Sequence, residues 1–264
     1  MAARGAALVT GAARRLGRAM ALALAQRGHD VAIHYHGSAG EAEETAAAAR
    51  AFGVRAEIFA ADLLDEAATE ALIPAVVSRL GSLTVLVNNA SIFEHDSLAT
   101  ATRASWDRHI GSNLRAPFVL TQQFAAQLPC APQAPVSQPR PEPEAHGLIV
   151  NMIDQRVLKP TPAFMTYSLA KAGLWALTRT SAQALAPAIR VNAIGPGPTM
   201  QGARQSAAHF ARQRAATILE RGADPSDIVA ALLYLLDARA VTGQLICVDG
   251  GQHLAWRTPD ILGD

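Results

Sequence analysis

The sequence predicts a single doubly wound α/β domain built on a seven-stranded parallel sheet. Short, almost wholly apolar runs alternate with longer amphipathic ones from end to end. The first apolar run leads straight into a glycine-containing turn and a helix, and 264 residues suit one large domain with a sizeable core. Strands this apolar imply a parallel sheet covered by helices on both faces.

Taken in order, residues 6–10 read as the first strand, bounded by the turn that begins at Gly11. A helix over 16–27 follows, with Leu16, Ala19, Met20, Ala23 and Leu24 on one face at the 3.6-residue repeat. Strands at 31–35, 56–60 and 84–88 alternate with helices at 41–52 and 65–80. The second half reads as a long helix over 105–128, then strands at 148–152, 191–194 and 245–248, with helices at 163–185 and 225–237. Residues 129–147 break the pattern, with prolines at 129, 132, 135, 139, 141 and 143 and almost no large apolar side chain. An extended surface loop is expected there. In such a sheet, ligands bind at the carboxyl ends of the strands.

Composition excludes several classes of function. Lys and Arg number 23 against 22 Asp and Glu, and the signs are interspersed, so no basic footprint suggests nucleic acid or anionic lipid. Cys130 and Cys247 are far apart and match neither a metal nor a redox spacing, which predicts no metal site and fits a reducing cytosol. No uninterrupted apolar stretch, 19–25 included, is long enough to span a bilayer, and no signal-peptide pattern opens the chain. A cytoplasmic enzyme is the expectation.

The turn Thr10-Gly11-Ala12-Ala13-Arg14-Arg15-Leu16-Gly17 lies between the first strand and the first helix. Glycine permits the tight bend, and the helix N-terminus offers free N–H groups and a positive dipole to a pyrophosphate. Nicotinamide cofactors without the 2′-phosphate are usually held by an acid at the end of the second strand. Here that strand closes on His34-Tyr35-His36-Gly37-Ser38, with no acid. Arg14, His36 and Ser38 instead suit a 2′-phosphate, and the expected cofactor is NADPH.

Tyr167 and Lys171 stand one helical turn apart and project from the same face. An ammonium there is expected to favour the phenolate and bring the phenol toward neutrality, making it a usable proton donor. Asp62 and Leu63 end the third strand, Asn89 and Ala90 the fourth, and Asn113 lies in the long helix beyond it. Gly195-Pro196-Gly197 and Val248-Asp249-Gly250-Gly251 complete the pattern.

In these motifs and their order, over essentially its whole length, the chain resembles the short-chain dehydrogenase/reductase family. The resemblance implies a Rossmann domain, catalysis by Tyr167 and Lys171, and a proton relay through Asn113. It implies cofactor contacts from Gly11, Arg14, Arg15, Leu16, Gly17, His36, Ser38, Asp62, Leu63, Asn89, Ala90, Tyr167, Lys171, Pro196 and Gly197. It also implies dimers or tetramers formed through the helices carrying Asn113 and Tyr167.

One departure is informative. Thirteen residues before the tyrosine the family normally has serine, and this chain has Asp154. A carboxylate stabilises a developing alkoxide poorly, but it suits a substrate with N–H donors or a ring nitrogen protonated as C=N is reduced. With Arg15 in place of the family's middle glycine, and Ser91 and Phe93 after Ala90, the chain is similar to the pteridine reductase and dihydromonapterin reductase subgroup. That similarity implies substrate contacts from Arg15, Ser91, Phe93, Asp154 and Tyr167, with Phe93 stacked on the pterin. Gly37 departs from the basic residue often found after His36 in that subgroup. A carbonyl reductase and a non-catalytic NADPH-binding regulator remain the alternatives. Residues 199–222 are expected to cover the substrate as a lid.

Overall fold

A computed structural model describes residues 4–128, 142–202 and 205–256. Most of the proline-rich loop, 129–141, and positions 203–204 of the expected lid lie outside the described residues.

The strands are β1 (Ala6–Val9), β2 (Asp30–Tyr35), β3 (Ala56–Ala60), β4 (Leu83–Asn88), β5 (Gly147–Met152), β6 (Ile189–Pro196) and β7 (Leu245–Val248). They form one sheet in the order β3-β2-β1-β4-β5-β6-β7, parallel throughout, as the unbroken apolar runs require. The helices are α1 (Arg15–Gln26), α2 (Ala39–Arg50), α3 (Glu66–Leu80), α4 (Arg103–Ile110), α5 (Ala116–Gln127), α6 (Met165–Leu185), α7 (Ala207–Ala215) and α8 (Pro225–Asp237).

Alternate residues of each strand point to opposite faces. On one face Ala7, Val9, Val31 and Ile33 meet Met20 and Leu24 of α1 and Ile228, Leu232 and Leu235 of α8. On the other, Leu8, Leu83, Leu86 and Ile149 meet Leu72, Ile73 and Val76 of α3 and Leu120 and Phe124 of α5. Strand order reverses between β1 and β4, which opens a crevice at their carboxyl ends. Among the described residues, no helix is long and apolar enough to cross a membrane.

Three elements differ from the sequence reading. The helix expected over 105–128 is interrupted by a π-helical turn, Gly111–Arg115, between α4 and α5. Pro117 has no N–H, so the carbonyl of Asn113 loses its α-helical partner, and the ladder widens there. Helix α6 begins at Met165 rather than at 163, because Phe164 adopts a left-handed conformation, φ 59°. Helix α7, inside the expected lid, was not anticipated. It buries none of its residues and so carries no apolar stripe to read.

Candidate active site

The crevice begins at the turn after β1, which is tied down on all sides. Gly11 takes φ +62°, open to glycine without strain, and its N–H donates to Nδ1 of His34 (3.0 Å). The hydroxyl of Thr10 accepts from the N–H groups of Asn89 (2.8 Å) and Ala90 (2.9 Å). The Asn89 side-chain amide donates to the carbonyls of Thr10 (2.8 Å) and Gly11 (3.2 Å). Gly17 closes the turn from below: a Cβ there would lie 2.2 Å from the Gly11 carbonyl oxygen and 2.6 Å from Nδ2 of Asn89. The result is a backbone cradle at the start of α1, the geometry that receives a pyrophosphate.

A groove of about 980 Å³ runs from this cradle along the ends of β1, β2 and β4. It is lined by Arg14, Arg15, Leu16, His36, Ser38, Asp62, Leu63, Asn89, Ala90 and Ser91, all named from the sequence. Arg108 and Ser112, which the sequence did not single out, also line it. The two histidines of β2 and its exit separate. His34 is buried; since Nδ1 accepts from Gly11, Nε2–H donates to the Ala61 carbonyl (3.1 Å), and burial lowers its pKa to about 4. It is a neutral strut of the cradle. His36 is exposed, with Nδ1 3.4 Å from Oδ1 of Asp62, and Arg14 pairs with Glu41 at 3.5 Å. Ser38 occupies the N-cap position of α2 without a side-chain capping bond. Pro196 ends β6, and the N–H of Gly197 donates to the Val248 carbonyl (3.0 Å). Arg15, itself at φ +53°, donates to the carbonyls of Gln201 (2.9 Å) and Met200 (3.2 Å), joining the cradle to the segment after β6.

At the end of β5 the structure brings Asp154, Tyr167 and Lys171 together. The Tyr167 hydroxyl donates to Oδ2 of Asp154 (3.0 Å), and Oδ1 accepts from the backbone N–H of Arg156 (2.9 Å). The Lys171 ammonium, buried, donates to the Met152 carbonyl (2.8 Å) and sits 5.7 Å from the Tyr167 ring centre. The expected lowering of the tyrosine pKa is not met. Burial, then the charge and hydrogen bond of Asp154, push the phenol well above its ordinary value, with Arg156 opposing. Burial also lowers Lys171 to about 8, against the pull of Asp154. Asn113, fully buried on the π-turn, uses its side chain on the backbone of Ile92, accepting from its N–H (2.9 Å) and donating to its carbonyl (2.8 Å). It thereby fixes the segment that carries Ser91 and Phe93.

The Phe93 ring lies parallel to that of Phe164 (4.3 Å, 8°) and edge-on to Tyr167 (4.7 Å, 71°). The Arg156 guanidinium lies over both phenyl rings, 4.8 Å from Phe164 and 5.3 Å from Phe93. Behind them runs a buried chain of hydrogen bonds that sequence reasoning missed. Glu94 N–H donates to Nε2 of His109 (3.1 Å), so Nδ1–H donates to the Thr166 hydroxyl (2.6 Å), which in turn donates to Asp96. Asp96 also accepts from the Thr166 N–H (3.2 Å), capping α6 from outside its own chain segment. Phe164 supplies no such cap. No sequence motif marks this network, since its bonded partners are 15 to 70 residues apart and belong to separate elements.

The fold and the crevice define a dinucleotide-binding oxidoreductase, with a phosphate cradle after β1 and a buried tyrosine–lysine pair near the end of β5. The chain belongs to the short-chain dehydrogenase/reductase family. Residues 11–253 match the family model described as enoyl-(acyl carrier protein) reductase. The chain is 33% identical over 253 residues to the 3-oxoacyl-[acyl-carrier-protein] reductase FabG of Staphylococcus aureus, covering 94% of this chain and 98% of that protein. Among solved structures it is similar to FolM alternative dihydrofolate reductase 1 from Brucella suis in complex with NADP. That match has 42% identity and a TM-score of 0.89, over 99% of this chain and 100% of the other. It is also similar to the landomycin C-6 ketoreductase LanV with bound NADP and rabelomycin, at 28% identity and a TM-score of 0.81, over 95% and 97% of the two chains.

Proposed function

We propose that this reductase uses NADPH to reduce a C=N bond of a dihydropterin-type substrate. The observation that carries the reading is the Asp154–Tyr167 hydrogen bond, which puts a carboxylate where the family's carbonyl reducers use a hydroxyl. The likeness to an alternative dihydrofolate reductase supports it. The cradle of Gly11, Gly17 and Asn89 fits a pyrophosphate, and Arg14, His36 and Ser38 at the open end of the groove suit a 2′-phosphate. Pro196, which ends β6, and Gly197 after it would contact the cofactor from that strand. Neighbours in complex with NADP support the cofactor.

When bound, the cofactor supplies the hydride, and the protein's own groups supply position and the proton. Reduction adds the hydride to carbon and a proton to the ring nitrogen. The nitrogen takes its proton at the Asp154–Tyr167 pair, where the carboxylate holds the donating hydroxyl and can also accept from a substrate N–H, as suits a pteridine ring. Lys171, held by the Met152 carbonyl, places positive charge near the pair and would hold the ribose of the bound cofactor. Asn113 keeps Ile92, and with it Ser91 and Phe93, against the pocket. Phe93, stacked on Phe164 and partly exposed, would line the site for a flat heteroaromatic substrate, and Arg15 ties the covering segment to the cradle.

The second reading, reduction of a keto group, is favoured by the FabG and LanV relatives. NADPH oxidation across dihydropterins, dihydrofolate and simple ketones separates the two. Activity on pteridines is expected, and activity confined to ketones overturns the pteridine reading.

We also infer that copies associate through α4, α5 and α6, whose outer faces leave Trp106, Phe118 and Leu169 exposed. Light scattering should give a dimer or tetramer, and a monomer would refute this.

A further inference from the structure

Arg156 occupies an unusual position for an arginine. It stands two residues beyond Asp154, in the short turn Gln155–Val157, and its guanidinium is laid over the Phe93 and Phe164 rings beside the reacting pair. Its Nη1 is shut off from solvent and has no hydrogen-bond partner. Among the described residues, no carboxylate pairs with it, whereas Arg108 close by is held by Glu94 at 2.8 Å. A guanidinium carries five donors and stays charged. Aromatic faces offset part of its desolvation, but they offer no acceptor to its edge. Asp154 does not fill the gap: its oxygens accept from the Arg156 backbone N–H and from Tyr167, and the guanidinium makes no hydrogen bond or ion pair with them. Around Tyr167, two cations, Lys171 and Arg156, therefore face the one carboxylate of Asp154.

We propose that Arg156 selects the substrate's side chain, pairing with a carboxylate carried on the substituent of a reduced pteridine. This rests on the pteridine reading of the site. The ring system would lie against Phe93, and a guanidinium stacked over that same phenyl ring stands beside the bound bicycle, where its substituent leaves. A planar guanidinium with no carboxylate partner matches a substrate carboxylate better than a lone hydroxyl does, and a negative partner offsets the second positive charge beside Tyr167. A substrate with a neutral side chain leaves the guanidinium charge unpaired. The enzyme accordingly favours folate-like over neutral pteridines.

The test compares wild type, Arg156→Gln and Arg156→Lys on dihydrofolate, which bears side-chain carboxylates, and on dihydrobiopterin, which bears only hydroxyls. NADPH affinity, read by fluorescence, monitors the integrity of the fold. In Arg156→Gln, kcat/KM for dihydrofolate should fall at least about tenfold, mainly through KM, and Arg156→Lys should recover part of the loss. Dihydrobiopterin turnover should change less than about threefold. If Arg156→Gln fails to bind NADPH, Arg156→Lys alone decides, by whether it impairs dihydrofolate more than dihydrobiopterin. Equal effects on both substrates, no effect on either, or a wild type that reduces only dihydrobiopterin would overturn the role of Arg156 and leave the pteridine reading standing. A wild type that reduces neither pteridine would remove the reading beneath it.

Discussion

The hydroxyl of Tyr167 donates to Oδ2 of Asp154 across 3.0 Å, while Lys171, one turn further along α6, is held by the Met152 carbonyl at 2.8 Å. The phenol and the ammonium are thus coupled through a carboxylate as well as directly. Asp154 pushes the tyrosine further above its ordinary pKa and partly restores the lysine, which burial has brought down to about 8.

Replacing Asp154 by serine separates these effects. Turnover of a dihydropterin should fall at least about a hundredfold in kcat, because the proton delivered to nitrogen loses its carboxyl. The alkaline limb of the pH–rate profile reports Lys171, since the tyrosine titrates higher. In wild type activity should decline above about pH 8 as the ammonium is lost. Removing the carboxylate takes away the influence that raises Lys171, so the limb should move to lower pH. Unchanged kcat in Asp154→Ser, or a limb moving upward, would show that the carboxylate does not act as described.

Gly17→Ala tests the cradle. Its Cβ would meet the Gly11 carbonyl at 2.2 Å and the Asn89 amide at 2.6 Å, neither of which can yield without breaking the turn. NADPH affinity, measured by fluorescence titration, should fall at least about tenfold, with a loss of stability of about 1–3 kcal/mol. Wild-type affinity in this variant would mean that the turn is not the phosphate site.

The pH dependence of stability should carry the signature of His34. Its folded pKa, about 4, lies below the ordinary 6.5, so the folded state binds fewer protons than the unfolded chain in between. The corresponding stability is fully present above pH 6.5 and is lost as pH falls toward 4, amounting to about 3 kcal/mol. His29 and His109, also lowered by burial, add in the same direction. Denaturant melts between pH 7 and 4 should show this slope, and His34→Gln should flatten it. An identical slope in the variant would assign it to other groups.

Much of this was legible in the sequence because it depends on local patterns. All seven strands could be read, since each is a short, mostly apolar run, and β1, β4 and β5 in the middle of the sheet are buried on both faces. The cradle and the Tyr167–Lys171 pair were also legible, because turns and helical spacing place residues close in space when they are close in sequence. Asp154 was found by its fixed offset from Tyr167. The different fates of His34 and His36 were not legible: adjacent histidines look alike until the sheet turns one toward Gly11 and the other to solvent. Nor was the His109–Thr166–Asp96 chain, whose geometry exists only once α4, α6 and the segment after β4 are assembled. The π-turn escaped because its cause, Pro117, lies near the start of a helical pattern, where proline is ordinarily tolerated.

Arg15 offers a test in which one residue does two separable things. Its side chain ties the cradle to the lid segment through the carbonyls of Met200 and Gln201, and its backbone sits at φ +53°, which disfavours any side chain. Arg15→Ala removes the tie and keeps the strained backbone, whereas Arg15→Gly removes both. Each should speed hydrogen exchange through residues 199–202 and raise KM for the pteridine, because the covering segment loses its anchor. The glycine variant should nonetheless be more stable than the alanine variant, by about 1–2 kcal/mol where relief of the left-handed conformation dominates. Exchange that stays at the wild-type rate in both variants would show that the lid is held by other contacts, such as those of Arg214 to Pro198 and Ala223. A glycine variant less stable than alanine would mean that the backbone at this position is not strained in solution.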